Sequence, residues 1–468
     1  MGQPGWCHFP DGPVGAVSGT NPLPARQVRS GPRLPKQHTC LLQPGHLRQS
    51  QPRSRSSGTL PDGGATSMSI AVLALALAAF GIGSAELVIQ GLLPEISADF
   101  GVSIPTTGLL VTGYALGVAV GGPIMVILVN RLSRKAALLA LMGLFIVGNV
   151  FCAIAPTFGL LMCARVITSF CHGSFFGLAA VVAASIVAED RRASAVSLAF
   201  SGLTVANILG LPGGTALGHA VGWRWTFWAV AFIGVVGIGG ISAFLPRTAD
   251  AGRATVAHEL RVVREPQVLI GLLVAVLITT AAFSFFTYVA PFVIEVPGVS
   301  AQTVPWFLLA YGIGGTVGLF VGGRLADLKR VATLIGTLAF LVLVYIVTFL
   351  VERSPGLVWV SIFLVATGFA TVPPLQMIVV TAAKEAPNLA STLLQSAFNT
   401  GISAGSLAGG AALWLGLGYG YLPLVGVAVF TLALGVARFP LVWAIRSAAA
   451  RSSGTSSWRL LGGGGTGS

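Results

Sequence analysis

Three ionisable residues interrupt long apolar runs of this chain. Glu86 lies in SIAVLALALAAFGIGSAELVIQGLLP (69–94), and Arg165 and His172 lie in FGLLMCARVITSFCHGSFFG (158–177). About 20 apolar residues suffice for a helix to cross a bilayer. A charge within such a helix costs roughly 2.5–3.5 kcal/mol on insertion scales, so it faces a cavity or a partner and marks an ion or substrate path. Glu86 is seven residues before Leu93 and Arg165 eight after Thr157. At about 1.5 Å per residue, in helices of opposite direction, both lie about 10–12 Å below the same membrane edge. They are expected to face each other or to share a cavity. A neighbouring guanidinium favours the ionised carboxylate and desolvation the neutral acid, an opposition that suits a proton-coupling acid, Glu86, tuned by Arg165. The same spacing also fits a structural ion pair. His172, two turns past Arg165 on the same face, has the chemistry of a proton relay near neutral pH or of a packed core imidazole.

Further polar or helix-breaking residues share this setting. Asn399, Gln376 and Gln395 are candidate substrate contacts or interhelical hydrogen bonds. Gly202, Gly210, Gly213 and Gly214 leave room for a neighbouring helix, and Pro212 removes a backbone donor and bends its helix. Pro373 and Pro374 interrupt another apolar run, which is tolerated at depth where the helix lines a cavity. Phe283, Phe285, Phe286 and Tyr288 either wall a hydrophobic pocket or pack in the core or against lipid.

The elements that must position these residues are membrane spans. The chain of 468 residues is 54% hydrophobic and 9% charged, against roughly 25% charged in soluble domains. It is read as an all-α membrane protein. The net charge of +13 reports topology, not nucleic acid, because its basic residues sit mainly in short loops. From Met68 there are twelve apolar runs, about 69–93, 106–128, 136–154, 158–186, 196–218, 226–245, 267–289, 304–323, 332–350, 357–380, 390–415 and 421–443. Loops after even-numbered spans, with the C-terminal tail, carry Arg131, Arg134, Lys135, Arg191, Arg192, Arg247, Arg253, Arg261, Arg264, Arg324, Lys329, Arg330, Lys384, Arg438, Arg446, Arg451 and Arg459. The opposite loops carry Arg224 and Arg353. Positive residues stay inside, so both termini are expected in the cytoplasm.

An internal repeat divides the spans. Tyr114, Gly117, Gly121, Leu128 and Asn130 recur 197 residues later as Tyr311, Gly314, Gly318, Leu325 and Asp327, and Ala193-Ser194 recurs as Ala390-Ser391. Two six-helix bundles, 68–246 and 267–446, are expected about an axis along the membrane normal with a substrate site between them, joined by a polar linker, 247–266. Residues 1–67, rich in Gly, Pro, Ser and Arg, cannot bury enough apolar surface to order themselves; with Met68 directly before the first span, they also read as an upstream extension of the natural start. Residues 447–468 are expected to be a disordered tail. The cysteines match no zinc or redox spacing, and no metal site is expected.

Three regions resemble the major facilitator superfamily, specifically drug:proton antiporters of the arabinose-efflux-permease-like subgroup. VNRLSRKAALL (129–139) and GGRLADLKR (322–330) are similar to the two copies of its G-x-x-x-D-R-x-G-R-K loop. LLMCARVITSFCHGSFFG carries its intramembrane arginine, and GLTVANILGLPGG (202–214) is similar to its antiporter motif. The resemblance covers about 68–446, and GSAELVIQGLLPEISADFGVS in the first span is also typical of the subgroup. It implies gating roles for Asn130, Arg131, Arg134, Lys135, Gly323, Asp327, Lys329 and Arg330. Asn130 and Val126 depart from the pattern, while Gly323 and Asp327 keep it. Without the acidic residue, Arg131 and Arg134 are expected to reach carbonyls at helix C-termini.

The expected function is export of a small drug-like or sugar-like molecule in exchange for protons, by alternating access, in a cytoplasmic membrane. Sugar or metabolite export or proton symport are rivals of the same fold, and a transport-inactive receptor or scaffold is a rival of another class. No enzyme motif is present: GIGGTVGLFVGG (312–323) lies within a span, without a preceding strand or Walker lysine. The energy source is read as the proton gradient, with no cofactor, and the partners as a small molecule, protons and lipid around a monomer.

Overall fold

A computed structural model describes residues 62–129, 131–246, 265–383 and 386–453, all within the unit Leu60–Ser468. Asn130, Lys384, nearly all of the linker and most of both tails lie outside the described residues. The first half comprises α1 (Asp62–Leu87), α2 (Ile89–Phe100), α3 (Ile104–Val129), α4 (Arg134–Ile154), α5 (Phe158–Ser185), α6 (Arg192–Val205), α7 (Leu211–Val221) and α8 (Trp223–Phe244). The second comprises α9 (Pro266–Phe286), α10 (Val289–Glu295), α11 (Val304–Leu350), α12 (Pro355–Ala366), α13 (Val372–Ala382), α14 (Pro387–Trp414) and α15 (Leu422–Ser453). Two expectations about the tails are corrected. α1 starts at Asp62, inside the expected N-terminal tail, and α15 runs to Ser453, inside the expected C-terminal one. Extending an existing helix avoids the cost of nucleating a new one.

Among the described residues, ten segments are long and apolar enough to cross a membrane, and these contain eleven of the twelve expected spans. Spans 8 and 9 are fused in α11, bent apart at Lys329 with φ −150° and ψ 79°. The twelfth is α14, rich in Gly, Ser and Ala; it packs against α3 and α9, so much of its surface meets protein and not lipid.

Four spans are built of two helices each, and the breaks have local causes. In span 5, α6 and α7 are joined by a π turn, Ala206–Gly210, with the Leu211 amide reaching back to Ala206 O. The extra residue accommodates Pro212, which lacks the amide for Ile208 O. In span 10, α12 and α13 are joined by a 3-10 turn, Thr367–Thr371; Pro373 cannot serve Phe369 O, and the Val372 amide takes it instead. Spans 1 and 7 break after Leu87 and Phe286.

The repeat extends to the caps. Gly101 and Gly298, 197 residues apart, hold φ of 63° and 73°, which glycine adopts without a Cβ penalty. Ser103 Oγ and Thr106 Oγ1 lie 2.8 Å apart, and Ser300 Oγ and Thr303 Oγ1 2.9 Å.

The halves meet toward the membrane edge marked by Asp99. Ser406 Oγ donates to Gly108 O across them at 2.9 Å. Gly91 faces Leu308 of the other half, and Gly312 lies against the Asn207 carbonyl. One hydrophobic core crosses both halves and includes Leu92, Leu211, Phe292 and Leu308. A second core, with Leu75, Leu138, Phe145, Phe175 and Val182, belongs to the first half alone.

Candidate functional site

Close packing of α3 on α5 builds the site. A Cβ on Gly117 would lie 1.9 Å from Ser169 Oγ and one on Gly121 2.2 Å from the Phe170 ring, while Gly122 and Gly173 meet backbone to backbone. Ser174 Oγ donates to Gly122 O at 2.9 Å. This places Tyr114 of α3 against Arg165 and His172 of α5.

Arg165 is fully buried. Its Nη1 donates to Ala85 O at 2.6 Å and its Nη2 to Glu86 O at 3.5 Å. Those carbonyls are the ones that the amides of Ile89 and Gln90 would take in an unbroken helix. Arg165 thereby ties α5 to span 1 next to Val88, where α1 ends. Its guanidinium also lies over the Tyr114 ring, 4.1 Å from the centroid, a cation–π contact favoured by desolvation.

Of the two arrangements expected for Arg165 and Glu86, facing each other or sharing a cavity, no direct pairing of the guanidinium with the carboxylate is found among the described residues. Among the described residues the carboxylate meets His172, with Oε2 3.8 Å from Nδ1. The same Nδ1 lies 3.3 Å from the Tyr114 hydroxyl. His172 is 2% exposed and the Glu86 side chain 15%, so the carboxylate is the solvent-facing end of the chain Glu86–His172–Tyr114. Arg165 and Glu86 share a neighbourhood, but the arginine holds the backbone that carries the acid.

The other expected contacts lie elsewhere. Gln376 Nε2 donates to Ser391 Oγ at 3.0 Å. Asn399 Nδ2 donates to Gln395 O at 3.0 Å and its buried Oδ1 has no partner. Gln395 is exposed. None of the three touches Glu86.

In the antiporter-like segment, a Cβ on Gly202 would lie 1.9 Å from Ala76 O, on Gly210 2.1 Å from Ser84 Oγ and on Gly214 2.7 Å from Val88 Cγ2. These three let α6 and α7 close on span 1. Gly213 is corrected: it is exposed and nothing would meet its Cβ within 4 Å, because it points away from that contact. Pro212 is buried.

At the loop after span 2, Lys135 performs the carbonyl contact expected of Arg131 and Arg134. Its Nζ donates to Ser242 O at 2.7 Å and Leu245 O at 2.6 Å, at the C-terminus of α8. Arg131 and Arg134 form no hydrogen bond or ion pair among the described residues, and Ser133 caps α4 in front of them. After span 8, Arg330 Nη1 donates to Thr381 Oγ1 at 2.9 Å. Asp327 and Lys329 are exposed and unpaired among the described residues, and Gly323 meets open space.

Sequence reasoning used Tyr114 only as a marker of the repeat and missed its place in the site. It also missed Gln90, fully buried with both amide atoms unpartnered, and the ion pair of His219 Nε2 with Glu95 Oε1 at 2.9 Å. Gln90 was detectable as a polar residue one turn after Glu86 in the same apolar run. His219 and Glu95 come from separate spans, and no spacing links them.

Apolar spans in a repeating arrangement, with buried ionisable residues among them, define a polytopic membrane transporter. The chain belongs to the Major Facilitator Superfamily, whose family model matches residues 73–410. It is 43% identical over 364 residues to an inner membrane transport protein, YdhP, of Escherichia coli strain K12, covering 78% of this chain and 94% of the relative. It is 32% identical over 350 residues to a chloramphenicol resistance protein of Streptomyces lividans, covering 73% and 88%. A bacterial homologue of the human lysosomal transporter Spinster, solved in an inward-facing and occupied conformation, superposes with a TM-score of 0.63 at 20% identity, over 80% of this chain and 96% of that one. The family consists of transporters, not enzymes.

Proposed function

We propose that the protein exports a small, uncharged, drug-like or sugar-like molecule across a cytoplasmic membrane in exchange for protons, working as a monomer with both termini in the cytoplasm. The observation that carries this reading is His172 Nδ1, placed between the Glu86 carboxylate and the Tyr114 hydroxyl. A single ring nitrogen cannot donate to one and accept from the other at once. With Glu86 ionised, Nδ1–H points to the carboxylate. When Glu86 takes a proton from the aqueous side and the imidazole shifts its own proton from Nδ1 to Nε2, Nδ1 accepts from the Tyr114 hydroxyl. Proton arrival thus exchanges a charged contact for a hydrogen bond inside the bundle, and Arg165 holds the Ala85 and Glu86 carbonyls while it happens. A relative named for chloramphenicol resistance supports a drug-like substrate.

The halves meet toward the Asp99 edge, which the basic loops make the outer one, so this conformation is read as open to the cytoplasm. The test uses protein in liposomes with a pH-sensitive dye inside, an imposed proton gradient, and chloramphenicol or L-arabinose added. Compound-dependent proton movement that Glu86→Gln abolishes supports the reading. Movement unchanged in Glu86→Gln refutes Glu86 as the coupling acid, and co-directional flux of compound and proton makes the protein a symporter.

A further inference from the structure

The 197-residue repeat carries the proton site into the second half with different chemistry. Glu86, Tyr114, Arg165 and His172 have as counterparts Phe283, Tyr311, Ile362 and Phe369. The correspondence holds in space. Gly117 lies against Ser169 and Gly314 against Ala366, and Gly121 lies against Phe170 and Gly318 against Thr367, each pair at the same offset. The rings follow: Tyr114 and His172 have centroids 6.0 Å apart at 74°, Tyr311 and Phe369 6.3 Å apart at 78°. Where the first half has an acid, a base and a cation, the second has a phenyl ring, a phenyl ring and an alkyl group.

This substitution leaves one polar atom without its partner. The Tyr114 hydroxyl reaches His172 Nδ1, but the Tyr311 hydroxyl faces a counterpart that cannot hydrogen-bond, and it has no partner among the described residues. Tyr311 as a residue is only 4% exposed, but its hydroxyl oxygen is not itself fully buried. Tyr288 and Tyr345, equally buried, each donate to a carbonyl, of Ser406 and Ala282. Tyr311 also stacks on Phe286, centroids 3.7 Å apart at 9°, and Phe286 meets Phe283 edge to face at 5.6 Å. Next to Tyr311, Gly312 touches the first half at Asn207, so the cluster lies near the junction of the halves.

We propose that Phe283, Phe286, Tyr311 and Phe369 form the substrate site of the second half, which binds a neutral molecule through a planar apolar ring and one hydrogen-bonding group taken by the Tyr311 hydroxyl. No charged side chain belongs to the cluster, so a carboxylate or ammonium there would be buried unpaired, at high cost. Ring faces stack by offset or edge contact, and Phe369, half-buried, is the member with most access. The repeat thereby divides the work: protons on the first half and substrate on the second, which deepens the reading of the chain as a coupled exporter and rests on it.

Binding of radiolabelled chloramphenicol, a neutral nitrophenyl amide, and of L-arabinose, neutral and without an aromatic ring, is measured on purified full-length wild type, Tyr311→Phe, Phe369→His and Glu86→Gln, with a thermal melt of each to show that it is folded. Tyr311→Phe removes only the hydroxyl, and Phe369→His supplies the partner that Tyr114 has. Each is expected to weaken chloramphenicol binding roughly three- to tenfold, the equivalent of one neutral hydrogen bond. Wild-type affinity in both ring variants overturns the site. So does wild type that binds arabinose alone, or neither compound. If chloramphenicol binding depends on Tyr311 but proton movement survives Glu86→Gln, the site stands and the coupling reading falls.

Discussion

Replacing Gly202 and Gly213 with alanine should have opposite consequences, although the two glycines sit eleven residues apart in one motif. A Cβ on Gly202 would stand 1.9 Å from Ala76 O and 2.7 Å from Phe80 N, whereas ordinary contact begins at 3.4 Å. The obstacles are backbone atoms of the first span, so no side chain can swing aside and the helices must part by about 1.5 Å. Overpacking of this kind costs about 1–3 kcal/mol and occasionally more. Gly213 is exposed with open space around its Cβ position, and alanine there gains up to about 1 kcal/mol of helix propensity. The gap between the variants is therefore about 1–4 kcal/mol. At about 2–4 °C per kcal/mol for halves of this size, thermal unfolding in detergent should separate them by roughly 2–16 °C, with Gly202→Ala below wild type. Coincident melts, or Gly213→Ala as the weaker protein, would refute the assignment of close packing to Gly202.

Two smaller predictions use the same assay. Lys135→Met leaves the Ser242 and Leu245 carbonyls without their charged donor and should lower stability by about 1–3 kcal/mol, while Arg134→Gln, whose side chain has no partner, should stay within about 0.5 kcal/mol of wild type. His219→Ala strands the Glu95 carboxylate, whose Oε2 is already buried without a partner, and should cost about 1–3 kcal/mol; His219→Gln, which can still donate, should recover part of the loss in the melt.

Much of the fold was legible because a bilayer leaves a chain few options. Every spanning segment must satisfy its own backbone, so apolar runs, charge bias and one repeat suffice to order the spans. The segment hardest to see by hydropathy was α14, whose Gly- and Ser-rich surface meets other helices, whereas the bend at Lys329, where φ and ψ leave the helical region, falls between two apolar runs. In the site, counting residues from the membrane edge brought Glu86 and Arg165 to the same depth. Depth does not fix direction around the helix axis, and Arg165 turns to the carbonyls of Ala85 and Glu86. The role of Tyr114 was hidden for a related reason: a tyrosine among apolar residues reads as core until a histidine from another span is placed beside its hydroxyl. Gly213 shows the limit of motif reading, since a glycine's type does not say whether a neighbour faces it.

The most direct test of Glu86 as the coupling acid is to count protons released when chloramphenicol binds purified protein in weakly buffered detergent solution. The account predicts release by the wild type and none by Glu86→Gln at a chloramphenicol concentration that fills both proteins. Equal release by the two proteins would contradict it.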